Sequence, residues 1–241
     1  MTDRIEQTFF RPVRPGNAFE ETVQRLLQTI RLGVVAPGEQ LPSERELALR
    51  FSVSRDTVRD AIRSLADAGY LVSRRGRYGG TFVVDGLPTG RAAVVAGGHD
   101  EQPDAADLED ALALREVLEV GAVRLAAQRT LTAPEREQLW TALKETSQAG
   151  PDDYRRLDSR LHLTIAELSG VRSLVSLVAD NRMAVNHFLD DIPLLPRNIA
   201  HSNEQHEAVV GAILAGVVDG ATAAMEEHLA GSASLLRGFL A

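Results

Sequence analysis

Four side chains in the C-terminal half of the chain could together bind a metal ion. Asp158 and His162 are four residues apart, and His206 and His228 follow at longer intervals. Each falls where a helical repeat of apolar residues places an inward-facing side chain, so all four are expected to point into one helical core. One carboxylate and three imidazoles suit a divalent metal, and two ligands at i and i+4 can reach one ion.

Other interpretations of these residues stay open. An inward-facing histidine is often a hydrogen-bonded core residue. A metal on these ligands could also activate water in a hydrolase, which would need a general base that the sequence does not identify. A nucleophile elbow, a P-loop and a dinucleotide fingerprint are all absent from the sequence. His99 is expected to be inert, and His187 and His201 are alternative ligands or pocket-lining groups.

Three further residues are candidates for binding a small acid. Arg115 lies on an apolar helical stripe, and a buried guanidinium binds a carboxylate through two parallel hydrogen bonds. The alternative is a structural salt bridge with Glu116 or Glu119, although neither is expected to share the inner face of Arg115 well. Arg182 and Asn186, one turn apart on a later helix, are the other candidates.

A second set of residues, nearer the N-terminus, could bind DNA. Arg55, Arg59 and Arg63 recur at every fourth position, so they project from one helical face, while the opposite side of the helix is apolar. A row of arginines is by itself typical of a solvated helix face. A helix that is anchored by apolar residues and presents guanidinium groups can also enter the major groove of DNA.

Flanking residues favour the DNA-binding interpretation. Ser43 is expected to cap a first helix, with Glu46 completing a capping box, and Ser54 to cap the arginine-bearing helix after a tight turn over residues 51–53. The sequence then predicts strands over residues 70–72 and 81–84, joined by a basic, glycine-rich hairpin tip. Two helices, a turn and a basic hairpin predict a winged helix-turn-helix.

Three motifs in this region resemble the signature of GntR-family transcription regulators. They are LPSERELA at 41–48, VSRDTVRDA at 53–61 and GGTFV at 79–83, and the resemblance covers about residues 19–84. The residues expected at the DNA are Arg45, Ser54, Arg55, Asp56, Thr57, Arg59, Arg75, Arg77 and Gly79. Asp56 departs from the family, which usually has a small neutral residue there. Since a carboxylate repels phosphate or accepts from a cytosine amino group, Asp56 is expected to alter which operator is bound.

Residues 105–238 resemble the FCD ligand-binding domain of the FadR subfamily. That domain often holds Zn, Ni or Mn through an Asp-x3-His pair and two later histidines, and the four candidate ligands match these positions in order. An arginine in the Leu-Arg-x-x-Leu-Glu setting of Arg115 often grips an effector acid in FCD domains. The resemblance therefore implies a divalent metal, with zinc favoured, and a small carboxylate effector.

The net charge of −8 is unusual for a DNA-binding chain, but it is unevenly distributed. Residues 1–85 contain 13 arginines and 11 acidic residues, for +2, whereas residues 86–241 contain 13 basic and 23 acidic residues, for −10. The acidic part is therefore not the DNA surface. The chain has no cysteine, and no apolar run approaches the roughly 20 residues of a membrane span, so a soluble, cytoplasmic protein is expected.

The fold is predicted to be mainly α. The expected parts are a flexible N-terminal arm (1–16), a winged helix-turn-helix domain (17–85), a linker (86–104) and an all-α bundle of six or seven helices (105–241). Apolar spacing of three and four predicts bundle helices over 106–130, 134–149, 152–169, 172–190, 199–216 and 219–238.

Together these features predict a ligand-responsive transcription regulator. Two-fold symmetry would match a homodimer to a palindromic operator, and an acid bridging the metal and Arg115 would shift the DNA-binding heads and release DNA. Two alternatives are a regulator for which the metal itself is the signal and a metalloenzyme with a DNA-binding anchor.

Overall fold

The computed structural model of the protein describes residues 13, 16–31, 35–76, 79–86, 105–190 and 192–240. Arg77, His99, nearly all of the predicted arm and nearly all of the predicted linker lie outside the described residues. By packing, the chain divides into two units. The N-terminal unit comprises residues 1–98, 191–198 and 231–241, and the bundle unit comprises residues 99–190 and 199–230.

Three helices form the framework of the N-terminal unit: α1 (Ala18–Arg31), α2 (Glu44–Phe51) and α3 (Arg55–Asp67). Ser52 ends α2 in the left-handed conformation, with φ of 58°, so only a short turn separates α2 from α3. The apolar faces of the three helices supply fully buried side chains, namely Val23, Leu26, Leu27, Leu47, Phe51, Val58, Ala61 and Leu65. The predicted helix-turn-helix is confirmed.

The two helix caps follow the sequence prediction with one correction. Ser54 Oγ accepts from the Thr57 amide at 3.0 Å and caps α3 as predicted. Ser43 Oγ accepts from the Glu46 amide at 3.3 Å. The Glu46 carboxylate, however, pairs with Arg50 one turn later at 2.7 Å. The predicted capping box is therefore wrong in its second half, because an i,i+4 ion pair engages the carboxylate.

The wing is a two-stranded antiparallel hairpin, β1 (Leu71–Arg74) and β2 (Gly80–Val83). A segment over residues 38–41 pairs with the other edge of β2, where the Leu41 amide donates to the Thr81 carbonyl at 2.8 Å. β2 is thus hydrogen-bonded along both of its edges. The predicted wing is confirmed.

Six helices follow within the described residues: α4 (Ala105–Gln128), α5 (Ala133–Ser147), α6 (Pro151–Leu168), α7 (Arg172–Asp190), α8 (Pro196–Ala215) and α9 (Val218–Leu240). Every predicted helix end in this part lies within three residues of the observed end. The fully buried residues of their shared core include Val123, Ala126, Leu139, Leu161, Ala166, Val209, Val210 and Ala221. The predicted mainly-α fold is confirmed. None of the described helices combines the length and the apolar character that crossing a membrane requires.

The last residues of α9, 231–240, pack within the N-terminal unit. A Cβ placed on Gly238 would lie 2.8 Å from the Cα of Gln24 on α1, so this close approach requires glycine. Phe239 meets the ring of Tyr70 edge to face, with 5.9 Å between the ring centroids. The C-terminal end of the chain therefore contributes to the core beneath the winged helix-turn-helix.

Candidate functional site

The α3 surface presents the predicted arginine row. Arg55, Arg59 and Arg63 are exposed, as is Arg45 on α2, whereas Val58 on the opposite side of α3 is fully buried. This is the arrangement that a recognition helix needs, since its apolar side is anchored and its basic side is free to face a groove. Ser54 and Thr57 contact each other through their hydroxyl groups at 2.8 Å at the N-terminus of α3.

Two carboxylates contact the Arg59 guanidinium. Its Nη1 donates to Asp56 Oδ1 at 3.0 Å, and its Nε lies 3.4 Å from Glu44 Oε2 on α2. Asp56, the unusual residue of this helix, is thus the i−3 partner of an arginine on the predicted DNA surface. The ion pair gives the carboxylate a local role in orienting Arg59, which the sequence did not suggest.

Part of the predicted wing surface is described. Arg75 is exposed, and Gly79 is half-buried beside the tip, with its amide donating to the Gly76 carbonyl at 2.9 Å. A Cβ on Gly79 would lie 2.5 Å from the carbonyl oxygen of Arg74. Only glycine therefore fits this turn. The third predicted wing residue, Arg77, lies outside the described residues.

In the bundle unit, the four predicted metal ligands lie together. One ligand atom each from Asp158, His162, His206 and His228 lies within 4.8 Å of all the others. The Nε2 of His206 is 3.3 Å from the Nε2 of His162 and 3.3 Å from that of His228. Asp158 Oδ1 lies 3.3 Å from the same nitrogen of His206. All four residues are buried, and α6, α8 and α9 supply them.

The donor set and its spacing fit a divalent metal. Tetrahedral coordination at the usual metal–nitrogen distance of roughly 2.0–2.1 Å sets two ligand nitrogens about 3.3 Å apart. Without a cation, His206 Nε2 would face two other imidazole nitrogens and a carboxylate oxygen, and one proton cannot satisfy all three. The geometry of the four side chains is therefore compatible with an ion at their centre.

The protonation states also suit metal binding. Burial lowers the pKa of His206 to about 3 and holds the pKa of His228 well below its usual range. Burial alone would raise the pKa of Asp158, but Arg182 and the three histidines hold it below its ordinary value. Neutral imidazoles and an ionised carboxylate are the forms that coordinate metals.

A second ring of polar groups holds these side chains. His162 Nδ1 lies 2.6 Å from Glu119 Oε2, and His228 Nδ1 lies 3.3 Å from Gln205 Oε1. Contacts of this kind at Nδ1 turn the Nε2 atoms toward the centre of the cluster. Asp158 faces the histidines with Oδ1 and pairs with Arg182 through Oδ2.

Arg115 forms the salt bridge that the sequence left as an alternative. Its Nε donates to Glu119 Oε1 at 3.2 Å, and the two side chains are 3% and 2% exposed. The expectation that Glu119 would not share the inner face of Arg115 is wrong, because residues four apart on a helix lie one above the other. Arg182 Nη1 approaches the same Glu119 oxygen at 3.4 Å.

Tyr154 and Ser159 near the cluster were missed from the sequence, and Glu119 was considered only as a salt-bridge partner of Arg115. For Glu119 the i,i+4 spacing from Arg115 was an available signal. Burial and the nearby Asp158 raise the pKa of the Tyr154 phenol, which lies one turn before Asp158 on α6. Ser159 Oγ accepts from Asn186 at 2.9 Å, which places this predicted effector residue against α6.

The other described histidines lie apart from the cluster. His187 is exposed on α7, where its ring lies beside that of Phe188. His201 is half-buried on α8. The four-residue group found within the described part of the chain includes neither of them, so neither is grouped with the candidate ligands.

Two family models match the chain. The model described as "Bacterial regulatory proteins, gntR family" matches residues 19–83, and the model described as "FCD domain" matches residues 110–231. The first match covers the helix-turn-helix and wing, and the second covers the candidate metal ligands and both buried arginines.

Similar proteins span most of the chain. The "Putative L-lactate dehydrogenase operon regulatory protein" of Escherichia coli (strain K12) is 32% identical over 223 residues, covering 90% of this chain and 85% of the relative. The "HTH-type transcriptional repressor NanR" of Enterobacter sp. (strain 638) is 30% identical over 225 residues, with coverage of 91% and 85%. The "HTH-type transcriptional regulator LutR" of Bacillus subtilis (strain 168) is 27% identical over 219 residues, with coverage of 87% and 97%.

A solved structure shares the fold, and a second is similar in sequence. E. coli McbR/YncC has a TM-score of 0.50 at 19% identity and covers 90% of this chain and 96% of its own. Streptococcus agalactiae GntR has a TM-score of 0.49 at 27% identity, with coverage of 89% and 98%. The named relatives are transcription regulators and not enzymes, so the metalloenzyme interpretation is set aside. The chain belongs to the GntR family of bacterial regulatory proteins and carries an FCD domain after its winged helix-turn-helix.

Proposed function

We propose that the protein is a homodimeric repressor that leaves a palindromic operator when a small carboxylate binds beside a divalent metal in the bundle. The observation that carries this proposal is the buried cluster in which Asp158, His162, His206 and His228 converge within 4.8 Å. The bundle is acidic and the α3 surface is basic, so sensing and DNA binding belong to different parts of the chain.

Charge balance favours an anionic effector. The buried groups around the cluster comprise the carboxylates of Asp158 and Glu119 and the guanidinium groups of Arg115 and Arg182, whose charges cancel. A divalent ion on the four candidate ligands would supply uncompensated positive charge and a coordination position for a carboxylate oxygen. A small acid is the ligand that matches such an environment.

The two buried arginines offer a route from effector to conformation. Arg115 is held by Glu119, and Arg182 is held by Asp158 and Glu119. An incoming carboxylate competes for these guanidinium groups, and a buried ion pair that loses its partner must rearrange. The effector would therefore make different contacts before and after the rearrangement, and this difference lets it shift the protein between two states.

The relatives suggest a first acid and the direction of regulation. The name of the E. coli relative refers to an L-lactate dehydrogenase operon, and L-lactate is a small carboxylate. The NanR relative is named a repressor. We therefore choose L-lactate as the first probe and expect it to weaken operator binding.

The test combines metal content with operator binding. We expect about one divalent ion per chain in purified protein by elemental analysis, and its loss in His206→Ala but not in His187→Ala, whose side chain is exposed away from the cluster. Gel-shift titration should show that L-lactate releases the wild-type protein from its operator. A metal-free wild-type protein, or DNA affinity that rises with acid, would contradict the proposal.

A metal-responsive regulator is the second candidate, and the same buried cluster favours it. The discriminating measurement is operator binding before and after chelation. If DNA affinity follows metal occupancy and ignores organic acids, the metal is the signal. If the metal-free protein still binds its operator normally and still responds to acid, the metal is structural.

A further inference from the structure

Two carboxylates contact the guanidinium of Arg59 on the surface that is predicted to face DNA. Asp56 Oδ1 accepts from Arg59 Nη1 at 3.0 Å, and Glu44 Oε2 lies 3.4 Å from Arg59 Nε. One positive group is thus placed against two negative ones, and this local charge opposes binding to phosphates. We propose that Asp56 and Arg59 together recognise one G·C base pair of the operator, with Asp56 accepting from the cytosine amino group.

The polar atoms of the Asp56–Arg59 pair match the major-groove edge of a G·C base pair. Guanine presents the acceptors N7 and O6 there, and cytosine presents its N4 amino group as a donor. Guanine O6 and cytosine N4 are themselves hydrogen-bonded to each other, so they lie about 2.9 Å apart. Arg59 Nη1 and Asp56 Oδ1 are 3.0 Å apart. A guanidinium donor can therefore face O6 while the carboxylate oxygen faces N4.

The two side chains are placed to reach a base edge together. Asp56 is the second residue of α3, after the Ser54 cap, and the first turn of a recognition helix is the part that contacts bases. The Asp56 side chain is 82% exposed and keeps acceptor sites beyond the one that Arg59 uses. Glu44 engages Arg59 through Nε, which leaves further N–H groups of the guanidinium for guanine.

A carboxylate at this position also excludes other sequences. An A·T base pair presents the acceptor O4 of thymine in place of the cytosine amino group, and the amino group of adenine in place of guanine O6. Donor then meets donor at Arg59, and acceptor meets acceptor at Asp56. Asp56 therefore confers specificity through the base pairs that it rejects as well as through the one that it accepts.

Methylation of single cytosines tests this contact. In N4-methylcytosine a methyl group replaces the amino hydrogen that cytosine turns to the major groove, and base pairing with guanine is kept. The operator is first selected from random-sequence DNA with the wild-type protein, and its cytosines are then methylated one at a time in each half-site. At one of them, methylation should weaken wild-type binding at least about tenfold, as the loss of a good base contact does. Asp56→Ala should lose no more than about twofold there, as measured by fluorescence anisotropy.

The outcomes separate the role of Asp56 from the proposed function. The proposal rests on that function only in requiring an operator, and neither metal nor effector enters it. If the wild-type protein selects an operator but tolerates methylation of every cytosine, or if Asp56→Ala is weakened as much as wild type, the base contact of Asp56 is wrong and the proposed function stands. If the wild-type protein selects no common sequence, the proposed function fails at its operator, and Asp56 has no base pair to recognise.

Asp67→Ala is the matched control for charge. Asp67 is exposed at the other end of α3, roughly 16 Å from Asp56 along the helix axis, so its substitution changes the net charge equally but far from the first turn. Asp56→Ala should lower the ratio of operator to non-operator affinity at least about tenfold, and Asp67→Ala should leave it within about twofold of wild type. Equal ratios in the two variants would reduce Asp56 to a surface charge and overturn the proposal.

Discussion

The carboxylate of Glu119 contacts three partners in the bundle. It lies 3.2 Å from Arg115 Nε, 3.4 Å from Arg182 Nη1 and 2.6 Å from His162 Nδ1. Burial alone would raise its pKa, yet the positive charges of Arg115 and Arg182 and the contact with His162 hold it well below the usual range. Glu119 therefore compensates charge and orients a candidate metal ligand at once.

Removing this charge should be costly. Glu119→Gln removes the carboxylate charge that pairs with the buried Arg115, and breaking a buried ion pair typically costs about 3–5 kcal/mol. We expect urea unfolding to show a loss of that order. Glu116→Gln, one residue away and exposed, should change stability by no more than about 0.5 kcal/mol. Equal effects of the two substitutions would show that the Glu119 pairs contribute little.

On the predicted DNA surface, Arg59 is held by ion pairs with Glu44 and Asp56. Arg59→Ala should weaken operator binding by roughly 1–3 kcal/mol if the guanidinium makes a bidentate base contact. Fluorescence anisotropy with labelled operator measures this. Arg156→Ala, which removes an exposed arginine paired with Asp153 on α6, should leave the affinity unchanged. Unchanged affinity in Arg59→Ala would remove this residue from the DNA interface.

Helical spacing in the sequence was enough to predict that the four candidate ligands point inward, and the structure brings them together. It was not enough to find their surroundings. That His162 meets Glu119 depends on how α6 packs against α4, which no local pattern encodes. Likewise, the contact of Arg59 with Glu44 spans two helices and depends on the angle of the turn between them.

The helix α5 begins with a complete capping box. Thr132 Oγ1 accepts from the Glu135 amide at 3.4 Å, and Glu135 Oε2 accepts from the Thr132 amide at 2.8 Å. The sequence predicts a capping box at Ser43 instead. Both glutamates pair with an arginine: Glu46 pairs with Arg50, and Glu135 pairs with Arg129 through Oε1 but keeps the return bond to Thr132 through Oε2.

This cap leads to a prediction for α5. Thr132→Ala removes the hydroxyl acceptor, and we expect it to destabilise the protein by about 1 kcal/mol, the usual cost of losing a helix cap. Thermal unfolding measures the change. Thr130→Ala, at an exposed position two residues earlier, is the matched control and should be close to neutral. A neutral Thr132→Ala would mean that water replaces the cap at no cost.

The start of α8 shows where helix prediction was limited. The apolar spacing predicts a helix that begins at residue 199, but α8 begins at Pro196. Proline breaks a helix only after its first turn, because at the first position its missing amide has no partner to lose. Proline can therefore mark either the end or the beginning of a helix, and only the packing of the residues that follow decides between the two.

At the scale of the whole chain, the two parts of the sequence differ in net charge. Residues 1–85 carry a net charge of +2 and contain the exposed arginines of α3, while residues 86–241 carry −10. Operator binding is expected to weaken steeply as salt rises, since phosphate contacts release counterions.

The charge division and the order of helices, turn and hairpin could be predicted from sequence alone. The grouping of residues 231–240 with the N-terminal unit could not, because it depends on contacts between residues more than 150 positions apart, such as Tyr70 and Phe239.

Because residues 231–240 belong to the N-terminal unit, the two halves of the chain cannot be exchanged freely in evolution or in engineering. A chimera that joins residues 1–98 to a foreign bundle would lose Phe239 and leave one face of Tyr70 bare. The replacement helix would also need a glycine at the position of Gly238, because a Cβ there would come too close to Gln24 on α1. A working transplant of the operator-binding half must therefore bring the last turns of α9 with it. The sequence boundaries at which the two family matches end are not the boundaries at which the molecule can be cut.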